Sequence, residues 1–234
     1  MEVSRTVRNI FKSALPEFAL DCVKLARLLL RQRLWGFSIG DKPCVGDASN
    51  AAFEKMLRNC LFYMEYGSGG STVLVARLGI PFISVETDRF FLQAVRKKIG
   101  TLSAEQHLLH ADIGPIGPQY GAPLFKTPTD RRLEMWTAYV SLPWRHLEPG
   151  LLPDLVMIDG RFRVAAALTS CAHLVDSPES RILVDDYVGR PHYQSIELYA
   201  QLVCTYEHMA VFKPPSRNSP QLQEAIQRFS ADWR

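Results

Sequence analysis

The sequence predicts an α/β fold: a doubly wound sheet, mostly parallel with an antiparallel strand near the C-terminus, and helices on both faces. Three observations carry this expectation. Short apolar runs alternate with helix-like segments along most of the chain. The runs are apolar at successive positions, as strands covered on both sides require. A chain of 234 residues with 47% hydrophobic and 22% charged residues can bury a full core as one large domain.

The first 50 residues read as a helical segment and loop ahead of a domain over 51–234. Residues 19–37 are the most apolar stretch, but Asp21, Lys24, Arg27, Arg31 and Arg33 interrupt it, too much charge for a spanning helix. Lys24, Arg27 and Arg31 recur at helical spacing, with Leu25, Leu28 and Leu29 to one side. This N-terminal basic helix either packs on the domain or makes a peripheral contact with an anionic membrane surface. Gly40, Pro43, Gly46, Asp47 and Ser49 then mark a loop.

A helix is expected over 51–59, a strand over 61–66, a Gly-rich turn, a helix over 71–78 and a strand over 81–86. Asp88 suits the start of a helix running to Ile99, where a carboxylate meets the positive end of the helix dipole. A third strand spans 106–110. After a Pro/Gly-rich stretch over 114–128 come a short helix at 131–139, a strand at 154–159 and a helix at 164–174. A strand at 181–185 and a helix at 195–201 follow. Two short strands at 203–206 and 209–212 and a last helix at 221–229 complete the chain.

Composition excludes several classes. A net charge of +3 is too mild for a dedicated nucleic-acid binder. Cys22, Cys44, Cys60, Cys171 and Cys204 are odd in number and none pair as Cys-x-x-Cys, which disfavours a disulfide scaffold or structural zinc site. Reduced thiols point to the cytoplasm, and the charged N-terminus shows no signal peptide.

In such a sheet, ligands bind beyond the carboxyl ends of the strands. There stands Glu65-Tyr66-Gly67-Ser68-Gly69-Gly70-Ser71-Thr72, whose glycines let the backbone turn sharply and approach a ligand. The Gly-x-Gly-x-x-Gly pattern fails at Thr72, and Gly-Lys-Ser/Thr is absent. Glu86 closes the second strand nineteen positions after Gly67, where a carboxylate meets the hydroxyls of a ribose. Asp112 follows the third strand, within reach of an adenine amino group. Glu65 beside the turn would repel a pyrophosphate and favour a cationic ligand.

These residues resemble the first motif of the class I S-adenosylmethionine-dependent methyltransferases, an acidic residue followed by glycines at alternate positions, with Ser71 replacing the third glycine. The resemblance covers 51–212 and looks most like bacterial methyltransferase-like proteins with Tyr-Gly-Ser-Gly-Gly-Ser-Thr and Ile-Asp-Gly-Arg-Phe-Arg. It implies a Rossmann-like fold and S-adenosylmethionine as cofactor. Glu65, Gly67, Ser68, Gly69, Gly70 and Ser71 would then form the loop under the methionine part, with Glu86 on the ribose and Asp112 near the adenine. The implied activity is methyl transfer to an unidentified acceptor. The alternatives are a non-catalytic nucleoside-binding module and a nicotinamide-dependent oxidoreductase.

The reaction side is expected after the fourth and fifth strands, with Asp159, Arg161 and Asp185 as candidate catalytic residues. Asp159 would orient or deprotonate the acceptor, while an arginine binds an anionic group on it. The plainer alternative is a salt bridge of Asp159 with Arg161 or Arg163 that stiffens the loop. Residues 139–144 and 190–193 are read as lining the acceptor side. Asp159, Asp185 and Asp186 also resemble the Mg²⁺ carboxylates of catechol-type O-methyltransferases. That family has Asn where Asp186 stands, and two arginines here compete with a cation, so the site is read without a metal and with Mg²⁺ as the alternative. The expected partner is a small-molecule acceptor, not a nucleic acid.

Overall fold

The computed structural model describes residues 17–118 and 121–234, so the first sixteen residues of the expected N-terminal segment lie outside the described residues. Seven strands form one sheet in the order β3-β2-β1-β4-β5-β7-β6. β1 (Tyr63–Tyr66) is central and runs parallel to both β2 (Phe82–Glu86) and β4 (Leu155–Ile158). β3 (Gln106–His110) and β5 (Arg181–Val184) extend the parallel set on either side. β7 (Met209–Lys213) is antiparallel to β5 and to β6 (Gln201–Tyr206), the hairpin that supplies the expected antiparallel strand. The chain order reverses between β1 and β4, so the carboxyl ends of these two strands diverge into a crevice.

Successive side chains point to opposite faces, so runs that are apolar at every position became strands covered on both. Met64, Tyr66, Val156, Ile158, Ile182 and Val184 point into one core. α5 (Asp130–Arg145), α6 (Arg163–His173) and α7 (Pro220–Phe229) cover that face. Tyr63, Phe82, Leu155, Met157, Leu183 and Val211 point the other way. There they meet α2 (Asp47–Leu57) and α3 (Gly70–Arg77), with the end of α4 (Arg89–Ile99) beside them.

Several elements differ from the sequence expectation. α2 begins at Asp47, ahead of residue 51, where Ser49 Oγ donates to the Tyr206 carbonyl (2.7 Å) and ties the helix to β6. α5 continues through Pro143 to Arg145, because Trp136, Tyr139, Val140 and Trp144 are all buried along it. Residues 191–198 form a 3₁₀ helix, and Gln201 already belongs to β6. At the N-terminal end α1 (Glu17–Leu30) passes into a π-helical turn (Arg31–Trp35) that stops at Gly36, whose φ of 71° suits glycine. No helix among the described residues is long and apolar enough to cross a membrane.

Candidate active site

A cavity of about 650 Å³ opens at the carboxyl ends of β1, β2, β4 and β5. Of the expected site residues, Gly67, Ser68, Glu86, Asp159, Arg161 and Asp185 line it together. Gly67 has a φ of 95°, and any Cβ on it would collide with the backbone of Gly160. The turns after β1 and β4 therefore pack main chain against main chain, and glycine at both positions makes that possible.

Glu86 is buried at the end of β2. Its Oε1 accepts from the Thr87 amide (2.6 Å), the Thr87 hydroxyl (3.1 Å) and the Asp88 amide (2.9 Å). All three bonds fall on one oxygen, which leaves Oε2 for a ligand. Burial pushes this carboxyl up to about 7, against the pull of those N–H and O–H donors.

Glu65 does not stand where the sequence predicts, beside a ligand. It is fully buried, does not line the cavity and points to the α3 side of the sheet. It accepts from the hydroxyls of Tyr63 (2.8 Å), Ser71 (2.7 Å), Ser84 (2.8 Å) and Thr72. With the Ser84 proton committed to Glu65, Ser68 Oγ donates to Ser84 Oγ (2.6 Å). The Thr72 hydroxyl in turn accepts the Gly69 amide (2.8 Å). Glu65 thus stands beneath the glycine turn and fixes it, so its charge is spent on four hydroxyls rather than on a ligand.

Gly69, Gly70 and Ser71 also lie off the cavity. A Cβ on Gly69 would meet open space, Ser71 serves Glu65, and a Cβ on Gly70 would strike the Lys42 carbonyl of the N-terminal loop. Asp112 is exposed and accepts from the Gly114 amide (2.8 Å). It lines a second cavity of about 810 Å³, which shares Thr87 and Asp88 with the first.

On the reaction side, Arg163 is buried at the start of α6 and gathers the carboxylates. It meets Asp159 Oδ1 at 2.9 Å, Asp186 Oδ2 at 3.1 Å and Asp185 Oδ2 at 3.8 Å, and donates to the Asp185 carbonyl at 2.5 Å. Arg190 adds a second cation on Asp186 (2.6 Å). Phe162 and Asp186, with φ of 56° each, hold the two loops in left-handed turns around this guanidinium. Burial, with Asp185 and Asp186 close by, raises the Asp159 carboxyl above its usual range, and Arg163 opposes the rise. Its side chain is 38% exposed, so water in the crevice moderates that rise.

The Mg²⁺ alternative does not fit this donor set. The three carboxylates converge on a guanidinium, and among the described residues no cluster of His, Cys, Asp and Glu has metal-binding geometry.

Of the residues expected on the acceptor side, Tyr139 lines the cavity and Trp144 does not. Trp144 donates to Tyr66 Oη (2.8 Å) and stacks on His173. His192 and Tyr193 also lie off the cavity. Sequence reasoning did not find the N-terminal wall, where Leu28, Arg31, Phe37 and Cys44 line the cavity. Phe37 packs edge-on to Phe91 (5.2 Å) and Gln32 donates to Asp88 (2.8 Å), contacts that no local motif announces.

No protein-family model and no curated protein matches the chain. Among solved structures it is similar to a methyltransferase-like protein from Silicibacter pomeroyi, at 26% identity and a TM-score of 0.69, covering 83% of this chain and 100% of that one. A putative O-methyltransferase from Klebsiella pneumoniae aligns at 16% identity and a TM-score of 0.44, over 89% and 95% of the two chains. An O-methyltransferase from Bacillus cereus in complex with S-adenosylhomocysteine aligns at 15% and 0.44, over 88% and 96%. Those two superpose too loosely to bear on chemistry. Sheet order, crevice and the first of these likenesses agree on one architecture: the chain has the class I methyltransferase fold.

Proposed function

We propose that the chain is an S-adenosylmethionine-dependent methyltransferase acting on a small-molecule acceptor. One observation carries this reading. A buried carboxylate with a spare oxygen, Glu86, faces the same switch-point cavity as the main chain of Gly67 and Ser68. Thr87 and Asp88 line both cavities, which puts Asp112 on the neighbouring one, on the side where the nucleoside base would extend. The similar protein from Silicibacter pomeroyi, described as methyltransferase-like, supports the same reading.

When bound, the cofactor supplies an electrophilic methyl group. The protein's part is alignment and proton handling. Glu86 Oε2 accepts from ribose hydroxyls and fixes the nucleoside. Asp159, held through Oδ1 by Arg163 and raised by its neighbours, has an affinity suited to taking a proton from an acceptor near neutral pH. Arg161 lines the cavity on the same loop and binds an anionic group on the acceptor. Five free cysteines suit a reducing cytoplasm. Exposed Leu34 (71%) and Trp35 (74%) adjoin Arg33, and Lys24 and Arg27 lie on the helix before them, which supports peripheral contact with an anionic membrane surface.

Titration calorimetry with S-adenosylhomocysteine tests the main reading. The protein should bind it, and Glu86→Ala should weaken binding about tenfold or more, the scale of a lost charge-assisted pair of hydrogen bonds. Absence of binding by the unmodified protein overturns the assignment.

A further inference from the structure

The second cavity, of about 810 Å³, is walled by several separate parts of the chain. α1 gives Leu25 and Leu29, and α5 gives Arg131, Arg132 and Met135. The Pro/Gly-rich loop closes it with Ile116, Pro123, Leu124 and Phe125. Backbone bonds fix that loop as a hairpin. Ile116 and Pro123 form an antiparallel bridge, and the Leu124 and Gly117 amides donate to the Pro115 and Ala122 carbonyls (2.7 Å each). Leu25, Leu29, Leu124 and Phe125 belong to neither core of the sheet, and Leu29 and Phe125 are 43% and 51% exposed. Apolar side chains held around one space of this size, with a few charges among them, have the form of a small-ligand site.

The charges on its wall are unevenly engaged. Asp88 is committed to the protein: Oδ1 accepts from the Phe90 (2.9 Å) and Phe91 (3.2 Å) amides, and Oδ2 from Gln32 (2.8 Å). Asp112 accepts the Gly114 amide on the β3 side, and His110 Nε2 lies 3.2 Å from the Thr87 carbonyl. α5 lines the cavity with Arg131 and Arg132 and with neither of its adjacent carboxylates, Asp130 and Glu134. The Arg132 guanidinium lies over the Phe125 ring (5.1 Å) and donates to the Thr127 carbonyl (2.7 Å), and Arg89 lies over Phe90 (4.8 Å). A guanidinium stacked on a ring keeps its remaining N–H edge for a planar anion.

We propose that this cavity binds a single acyl chain ending in a carboxylate. The chain lies on Leu25, Leu29, Leu124 and Met135, and the carboxylate meets Arg132 with Arg131 beside it. The site goes beyond the methyl-transfer reading and does not rest on it, since none of these six residues lines the first cavity.

Calorimetry with octanoate, decanoate and dodecanoate, each below its micelle concentration, tests the site. Affinity should rise about tenfold at each step of two methylenes, the scale of burying them. Decanoate should bind about tenfold or more tightly than decyltrimethylammonium, which has a cationic head, and the double variant Arg131→Gln/Arg132→Gln should lose most of that preference. Leu124→Asp and Leu29→Asp, on different walls, should each weaken decanoate about tenfold or more. Leu29 is half exposed on α1, so its variant keeps the fold even where Leu124→Asp disturbs the hairpin. Affinity independent of chain length, equal binding of the two head groups, an unchanged preference in the double variant, or Leu29→Asp binding decanoate as before each overturns the proposal. S-adenosylhomocysteine, titrated separately, reads the methyltransferase assignment, and the carboxylate series decides this proposal whatever that titration shows.

Discussion

Glu86 gives one carboxylate oxygen to the protein and keeps one for a ligand, and that division makes its titration measurable. Burial raises the carboxyl from 4.5 to about 7, so between those values the folded protein holds a proton that the unfolded chain has released. Its contribution to stability is therefore full below about 4.5 and lost as the pH rises through 7, by on the order of 3 kcal/mol. Ribose hydroxyls donate to the ionised form, so affinity for S-adenosylhomocysteine should rise over the same interval. Denaturation and calorimetry between pH 4.5 and 8.5 should show both trends, and Glu86→Gln should flatten both; flat curves for the unmodified protein would contradict the assignment. Glu86 was legible in the sequence because it ends a strand at a telling distance from Gly67. The orientation of Glu65 was not. Both faces of β1 are apolar, so nothing in residues 63–66 says which face the carboxylate takes, and only the hydroxyls of Ser71, Thr72 and Ser84, brought in by other elements, settle it.

The elements around the site owe their geometry to two backbone devices and one cation. The main chains of Gly67 and Gly160 touch, and Arg163 binds the loops after β4 and β5 through Asp159, Asp185 and Asp186. Removing a buried cation leaves its carboxylates uncompensated, so Arg163→Met should cost about 3–5 kcal/mol in urea denaturation. Arg163→Lys should recover only part, because a point charge cannot serve three carboxylates and a carbonyl at once. A loss below about 1 kcal/mol in the methionine variant would show the network to be peripheral. At this scale the strands were readable, their apolar runs being short and bounded by turn residues. The ends of α5 were not: Pro143 forfeits a hydrogen bond inside the helix, but burial of Trp136, Tyr139 and Trp144, with Tyr66 Oη donating to the Val140 carbonyl (2.6 Å), outweighs that loss.

For the molecule as a whole, the N-terminal segment forms one wall of the crevice through Leu28, Arg31, Phe37 and Cys44. Gln32 on Asp88, Phe37 on Phe91 and the paired Asp41 contacts with Arg77 (2.6 Å) and Lys98 (2.9 Å) hold it against α3 and α4. These partners lie about fifty residues or more away in sequence or meet through exposed charges, so amphipathic spacing announced the helix but not its berth. Beyond them, Leu34 and Trp35 are exposed beside Arg33. Co-sedimentation with phosphatidylglycerol vesicles should retain the protein at low salt, and Trp35→Glu should release it; absence of binding at any salt removes the membrane contact. The same segment passes the Lys42 carbonyl so close to Gly70 that no side chain fits between them. The first residue of α3 therefore faces the negative end of a peptide dipole. A diphosphate approaching the start of α3 from that side would meet a carbonyl oxygen rather than a free donor, and so nicotinamide and flavin dinucleotides should be poor competitors however abundant they are in the cell.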